Sequence, residues 1–270
     1  MKSKADIRMR GFLKRTPVKT LLALIKEHSQ LLSSEEILTV EASGRILAQE
    51  IISTVNVPNF DRSAMDGYAL NAESTFGASI YNPLMFSIVG QVTPGERYEA
   101  EVLSGEALSI MTGGPLPKGA NAVLMAENAE LVGDQIQVID AVSPGKHVGL
   151  IGEDIKRNQS ILNKARFLRP QDIGVLASIG LKSVKVVRKP EVELLITGNE
   201  LLKPGEQAGG VKIIDSNSVM LSPLIKRDGG LLKAVHHLPD DRDLLRKHLS
   251  ESSADLIIVT GGTSVGIEDH

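Results

Sequence analysis

Val18, Leu21, Leu22 and Ile25 recur three and four residues apart, the spacing of a single helical face. They predict a helix running from Thr16-Pro17 to about residue 27 with that face buried, since threonine before proline suits an N-cap and first helical position. A second short helix is predicted over residues 41–49. From Ile51 the period changes: glycine and proline become frequent, and short β-like runs at 85–89, 107–111, 122–125 and 135–139 predict a β-rich stretch. Mixed structure returns after residue 142. Pro170 opens a predicted helix with apolar positions Ile173, Leu176, Ala177 and Ile179, stopped by Gly180, and residues 184–187 read as a strand.

After Pro190 strands and helices alternate. Apolar runs at 192–197, 231–238 and 256–260 are separated by amphipathic segments at 216–227 and 242–250, the first closed by Gly229-Gly230. Strand–helix–strand alternation at this spacing predicts a parallel sheet with right-handed crossovers. The expected fold class is therefore α/β and β, multidomain. A helical linker domain over 1–50 and 143–188 is interrupted by a β-rich domain over 51–142. A partial parallel-sheet α/β domain follows over 189–270, read as incomplete because no helix follows its third strand.

Composition narrows the function classes. In 270 residues, 30 basic and 33 acidic side chains give a net charge of −3, so nothing in the balance points to a nucleic-acid backbone. The longest apolar runs, such as 21–25 and 256–259, fall far short of the roughly 20 residues a spanning helix needs. The first 15 residues lack the apolar segment of a secretory signal. Cysteine is absent, which removes disulfides, thiolate metal sites and cysteine nucleophiles. These features predict a cytoplasmic protein with neither a membrane nor a nucleic acid as partner.

In a parallel α/β sheet, ligands bind beyond the carboxyl ends of the strands. Three loops lie on that edge: Thr197-Gly198-Asn199-Glu200, Pro239-Asp240-Asp241, and the run from Gly261 to Asp269. Glu200, Asp240 and Asp269 would then approach one crevice. The third loop (Gly261, Gly262, Thr263, Ser264, Gly266) could wrap a phosphate with backbone N–H groups. Carboxylates repel phosphate, so the combination calls for a hard divalent cation such as Mg²⁺ between them. The plainer alternative is that the acids cap the following helices, above all at Asp240-Asp241 before the 242–250 helix. In the β-rich stretch, Asp61 and Ser63 could satisfy local backbone donors, and Thr112 carries a free hydroxyl in a turn-rich loop. The adjacent His236 and His237 lie on a strand and point to opposite faces, so they do not readily share a metal.

Taken in order, these motifs resemble the molybdopterin molybdenumtransferase (MoeA) family. Phe60-Asp61-Arg62-Ser63-Ala64-Met65-Asp66-Gly67-Tyr68-Ala69 is the most specific of them. Met111-Thr112-Gly113-Gly114-Pro115-Leu116-Pro117, Gly152-Glu153-Asp154-Ile155, Thr197-Gly198-Asn199-Glu200-Leu201, Asp215-Ser216-Asn217 and Gly261-Gly262-Thr263-Ser264-Val265-Gly266 follow. The resemblance implies an elongated homodimer whose active cleft is shared between subunits. Its implied activity inserts molybdate into adenylylated molybdopterin with release of AMP, assisted by Mg²⁺. It places the functional acids at Asp66, Glu200, Asp240 and Asp269 and a hydroxyl at Thr112, which would donate a hydrogen bond to molybdate or phosphate. Glu200, Asp240 and Asp269 would hold the metal, and the Gly261–Gly266 loop the pterin phosphate.

Two departures qualify the resemblance. Asn199 stands where the family usually has aspartate, and an amide supplies no negative charge to a metal. The family pattern also continues past the equivalent of His270 with a lysine-bearing stretch and a C-terminal β domain, so a shortened chain of impaired activity is expected. The competing reading from another class is a molybdopterin-binding or scaffolding protein without transferase activity. A third is a metal-dependent nucleotide hydrolase with no need for a pterin.

Overall fold

A computed structural model describes residues 16–261 of the chain. Among the described residues two compact units emerge: 16–49, 164–173 and 182–261 form one, and 50–163 with 174–181 the other. Helix α2 (Pro170–Ser178) is divided between them. The architecture is mixed α/β and multidomain, as the pattern of apolar runs predicts.

The β-rich unit is built on a six-stranded sheet in the order Ala122–Met125, Gly67–Leu70, Glu106–Ile110, Leu84–Val92, Gln135–Val138, Ala129–Val132. All pairs are antiparallel except Leu84–Val92 with Glu106–Ile110. Its two faces carry separate apolar clusters. One gathers Leu70, Phe86, Leu124, Ile136 and Val138; the other gathers Ala69, Val92, Leu108, Ile110 and Val123. Neighbouring residues such as Ala69 and Leu70 fall in different clusters because side chains alternate across a strand. Each fully buried Leu, Ile or Phe contributes about 1.5–3 kcal/mol.

In the other unit, Glu191–Thr197 is the central strand of a three-stranded parallel sheet, flanked by Leu231–Leu238 and Leu256–Thr260. Leu194, Leu195 and Ile196 are consecutively buried, the mark of a parallel strand covered on both faces. Helix α3 (Asn217–Arg227) contributes Ile225 to the core with Val192, Leu194 and Ile196, and α4 (Arg242–Glu251) precedes the third strand. These elements match the predicted ones within one or two residues.

The N-terminal part differs from expectation twice. Helix α1 (Val18–His28) forms, but its apolar residues Val18, Leu21, Leu22 and Ile25 are 50–71% exposed, so the predicted burial is not met within the chain. The helix predicted over 41–49 is replaced by a turn and the short strand Ile46–Leu47. Gly44 takes φ +78° and donates to the Leu168 carbonyl, while Leu47 donates to Arg166. Ile46–Leu47 also pairs with the strand Ser183–Val187, which pairs on its other side with Ser34–Leu38. Backbone groups claimed by neighbouring strands are unavailable to a helix.

Candidate functional sites

Three loops of the β-rich unit interlock around Asp66. Arg62–Ser63 pairs antiparallel with Val148–Gly149, and Ala64 N–H donates to the His147 carbonyl at 2.9 Å. Ser63 exchanges hydrogen bonds with the next loop, its N–H going to Gly114 and its carbonyl accepting from Gly113 at 2.8 Å. Asp61 accepts from Ile151 N–H through Oδ1 at 2.7 Å, a partner far along the chain and not the local one expected. Ser63 does act locally: its Oγ accepts from Met65 N–H and donates to the Met65 carbonyl.

Asp66 Oδ1 accepts from both the N–H and the hydroxyl of Thr112, at 2.7 and 2.8 Å. Both predicted residues therefore meet. An ionised carboxylate only accepts, so the Thr112 hydroxyl proton is committed to Asp66 and is not offered to an oxyanion. The Thr112 N–H, then its hydroxyl, hold the Asp66 carboxyl below its ordinary range. Gly67 makes the geometry possible, because a Cβ there would lie 2.0 Å from the Leu124 carbonyl oxygen.

A cleft of about 430 Å³ lies in this unit, lined among others by Arg62, Ser63, Thr112, Gly113, His147 and Glu153. The Arg62 guanidinium bonds Glu153 at 3.0 Å and lies 3.8 Å from Asp154. His147 takes φ +56°, a left-handed conformation uncommon outside glycine, and its Nδ1 lies 3.0 Å from the Val123 carbonyl oxygen.

The second cluster sits at the carboxyl edge of the parallel sheet. Asn199 and Asp240 bond reciprocally: Asn199 N–H donates to Asp240 Oδ2 at 3.2 Å, and Asp240 N–H to Asn199 Oδ1 at 3.3 Å. The loop bearing Glu200 thus lies beside the one bearing Asp240. Capping falls to Asp241, which accepts from Asp243 and Leu244 at the start of α4 and leaves Asp240 free of that task. Lys212 Nζ donates to the Asn199 carbonyl at 2.6 Å and brings a cation to the same loop. The third loop begins here too. Thr197 Oγ1 donates to the Thr260 carbonyl, and a Cβ on Gly261 would meet Thr197 Oγ1 at 2.3 Å. Gly262, Thr263, Ser264, Gly266 and Asp269 lie outside the described residues, within which no three acidic or histidine side chains gather to hold a metal.

Three groups had no role assigned from the sequence, Asp215 among them although its motif was recognised. His147 carries no local signal, and Lys212 reaches its partner only through the fold. Asp215 had one: an acid three residues before Ser218 matches a helix-capping pattern. Asp215 is buried, accepts from Ser218 N–H at 3.1 Å and from His237 Nε2 at 2.8 Å. Burial pushes its carboxyl up, but the bonds from Ser218 and His237 outweigh this and the net shift is downward. His236 turns the other way, against His248 with ring centroids 5.2 Å apart, as alternation along a strand requires.

A model described as the MoeA N-terminal region (domain I and II) matches residues 16–180, more than half of the chain. The chain belongs to the MoeA family. A second model, a probable molybdopterin binding domain, matches residues 193–270. MoeA relatives include a putative molybdopterin biosynthesis protein of Methanocaldococcus jannaschii, 38% identical over 87% of this chain and 59% of that protein. The molybdopterin molybdenumtransferase of Staphylococcus epidermidis is 34% identical over 95% of this chain and 62% of its own length. The crystal structure of the molybdopterin biosynthesis MoeA protein from Pyrococcus horikoshii superposes with a TM-score of 0.84 at 38% identity, covering 92% of this chain and 67% of that one. The chain spans about six-tenths of the length of these two curated MoeA relatives. No helix among the described residues is long and apolar enough to cross a membrane.

Proposed function

We propose that the protein acts as a molybdopterin molybdenumtransferase, taking adenylylated molybdopterin and molybdate and releasing AMP. Membership of the MoeA family and the names of its relatives support the reaction class. The structural observation that favours it most is the Asn199–Asp240 pairing, which sets the Glu200 loop beside Asp240 where parallel sheets bind ligands.

Mg²⁺ suits this edge, because it is commonly held by one or two carboxylates together with substrate phosphates. Glu200 and Asp240 would hold it with Asp269, and it would supply charge neutralisation at the phosphoanhydride. The loop starting at Gly261 would receive the pterin phosphate through backbone N–H groups of Gly262, Thr263, Ser264 and Gly266. Asp66, kept ionised by Thr112, is an acceptor suited to orienting a water or a protonated oxygen. As a homodimer, one subunit would bring Asp66 and Thr112 to the Glu200, Asp240 and Asp269 of the other. The open apolar stripe on α1 is in keeping with contact to a second copy. The domain limits proposed are 1–50 with 143–188 for the linker, 51–142 for the β-rich domain and 189–270 for the α/β domain, and the protein is assigned to the cytoplasm.

The test is AMP release from adenylylated molybdopterin with molybdate and Mg²⁺. Release that requires all three, and is lost in both Glu200→Ala and Asp240→Ala at unchanged melting temperature, is expected. Undiminished release in both variants would sink the assignment. Pterin binding without turnover would favour the scaffolding reading.

A further inference from the structure

A pair of histidines between the parallel sheet and α4 takes no part in the site proposed above. His236 lies on an outer strand of the sheet, opposite Leu195, and His248 in the last turn of α4. Their ring centroids are 5.2 Å apart and the ring planes are inclined at 62°. Both side chains are half-buried, where polar groups normally find hydrogen-bond partners. His248 has one, its Nδ1 lying 3.1 Å from the Leu244 carbonyl oxygen. A carbonyl only accepts, so the proton of that bond sits on Nδ1, and Nε2 has no protein partner among the described residues. His236 has no hydrogen bond on either nitrogen among the described residues.

Metal sites use this arrangement. A ligating histidine gives one ring N–H to a backbone carbonyl, which fixes the ring and leaves the other nitrogen for the metal. The spacing can be checked against a bridging ion. Tetrahedral Zn²⁺ with Zn–N bonds of about 2.0–2.1 Å, and ring centres roughly 1.2 Å behind each nitrogen, sets two imidazole centroids about 5.3 Å apart. A right angle at the ion, as in octahedral or square-planar coordination, brings them to about 4.6 Å. The observed 5.2 Å matches the tetrahedral value. Edge-on ring packing alone spans about 4.5–7 Å, so the distance admits a metal and the unbonded nitrogens call for one.

The surroundings favour a cation. Glu193 lies two residues before Leu195 on the central strand, hence on the face that carries α4. It accepts from the Ser252 hydroxyl at 2.8 Å just past that helix. Helix α4 also lacks anchors: it has no buried side chain, and the Asp241 cap holds only its first turn.

We propose that His236 and His248 bind one Zn²⁺, with water at the remaining positions, and that the ion pins the end of α4 to the strand Leu231–Leu238. His248 coordinates through Nε2, and His236 through the nitrogen its ring turns toward the ion. Two protein ligands, with no third among the described residues, imply modest affinity. Imidazole suits Zn²⁺ whereas Mg²⁺ takes oxygen ligands, so this site is separate from the carboxylate edge. It closes the base of the segment carrying Asp240 and does not depend on the transferase reading.

The test is Zn²⁺ titration of the metal-stripped chain in excess Mg²⁺, read by calorimetry and by melting temperature. Binding of one equivalent is expected, with a saturable rise in melting temperature. His236→Gln and His248→Gln should each weaken it at least about 10-fold, the lower end of what loss of a mere orienting partner costs a metal site. His28→Gln should leave it unchanged. His28 bonds the Leu24 carbonyl on α1 in the same manner, with no second histidine ring against it among the described residues. In the parent, Zn²⁺ should shift the imidazole NMR signals of His236 and His248 and spare those of His28 and His147, a readout that needs no variant to fold. Co²⁺ in place of Zn²⁺ should give the intense visible bands of a tetrahedral ion. Absence of saturable binding, displacement by Mg²⁺, undiminished affinity in either pair variant, or signals shifted only at other histidines overturns the proposal. Weak octahedral Co²⁺ bands overturn the tetrahedral assignment.

Discussion

Asp66 and Asp240 are both exposed or half-exposed acids on loops, yet the two loops hold them by opposite means. Asp66 sits where three chain segments are cross-bonded, and one of its oxygens takes two short hydrogen bonds from Thr112. Asp240 has a single longer bond from Asn199, and the Glu200 side chain has none among the described residues. The first site is preorganised before any ligand arrives. The second leaves the Glu200 side chain unbonded among the described residues, as the proposed cation-binding role would require. Substitutions that crowd the cross-bonded backbone should accordingly damage the fold around Asp66, and side-chain substitutions at Asp240 should mainly affect the proposed ligand binding.

The largest expected effect breaks the rigid side. Gly67→Ala forces a methyl group against the Leu124 carbonyl and close to the Ala126 nitrogen, backbone atoms that cannot swing away. A loss of about 3 kcal/mol or more in urea unfolding is expected. Gly198→Ala, on the other edge, meets the Leu201 and Glu200 side chains, which can move, but its φ of +155° adds backbone strain, so it should also destabilise, by less than Gly67→Ala. Equal losses would show that the Gly198 backbone conformation, and not side-chain crowding, sets the cost there.

Next is Asp215, which ties α3 to the strand Leu231–Leu238 beneath the Glu200 and Asp240 loops. Asp215→Ala leaves Ser218 N–H and His237 unpaired and should cost about 2 kcal/mol near neutral pH. Its folded-state carboxyl is depressed, so the stabilisation is full above the ordinary carboxylate value of about 4 and fades as pH falls through the lower folded value. The stability gap between parent and variant should therefore close on acidification. A gap that persists or widens in acid would contradict an ionised Asp215.

These two regions were not equally legible in the sequence. The parallel sheet could be read almost residue by residue, because 192–197, 231–238 and 256–260 are apolar runs whose burial dictates their structure. Asp240 and Asp241 were also recognisable as acids at a strand end, although only the fold divides their labour. The Asp66 site was harder. Its motif is conspicuous, but what makes it a site is backbone pairing among Ser63, Gly114 and His147, and backbone hydrogen bonds carry no side-chain signature. The same reason defeated the predicted helix at 41–49, where Gly44 and Leu47 bond to distant carbonyls. In α1 the period was right and the burial wrong, since periodicity reports an apolar face and not what covers it.

A smaller effect sharpens the account of Asp66. Thr112→Val removes the hydroxyl and keeps the N–H, and the N–H is the larger of the two influences on the carboxyl. The Asp66 pKa, followed by NMR titration of its carboxyl carbon, should rise yet stay below the ordinary carboxylate value. A return to that value would mean that the loop itself had moved. The pH limit of any step that needs ionised Asp66 should move upward in the same variant.

The smallest expected change in stability comes from Asn199→Asp. Asn199 takes part in the reciprocal pair through its backbone N–H and its side-chain Oδ1 alone, and an aspartate supplies both. Both hydrogen bonds can survive, so what changes is charge. A second carboxylate beside Asp240 introduces repulsion that Lys212, anchored on the Asn199 carbonyl, partly offsets. Without metal, unfolding at neutral pH should shift by less than about 1 kcal/mol, in the destabilising direction and less so at high salt. Added Mg²⁺ should reverse the sign, because a cation between paired carboxylates turns their repulsion into binding energy. If Mg²⁺ stabilises parent and variant equally, the edge does not bind the ion through these loops, and Asn199 marks a polar clasp in place of a weakened metal site.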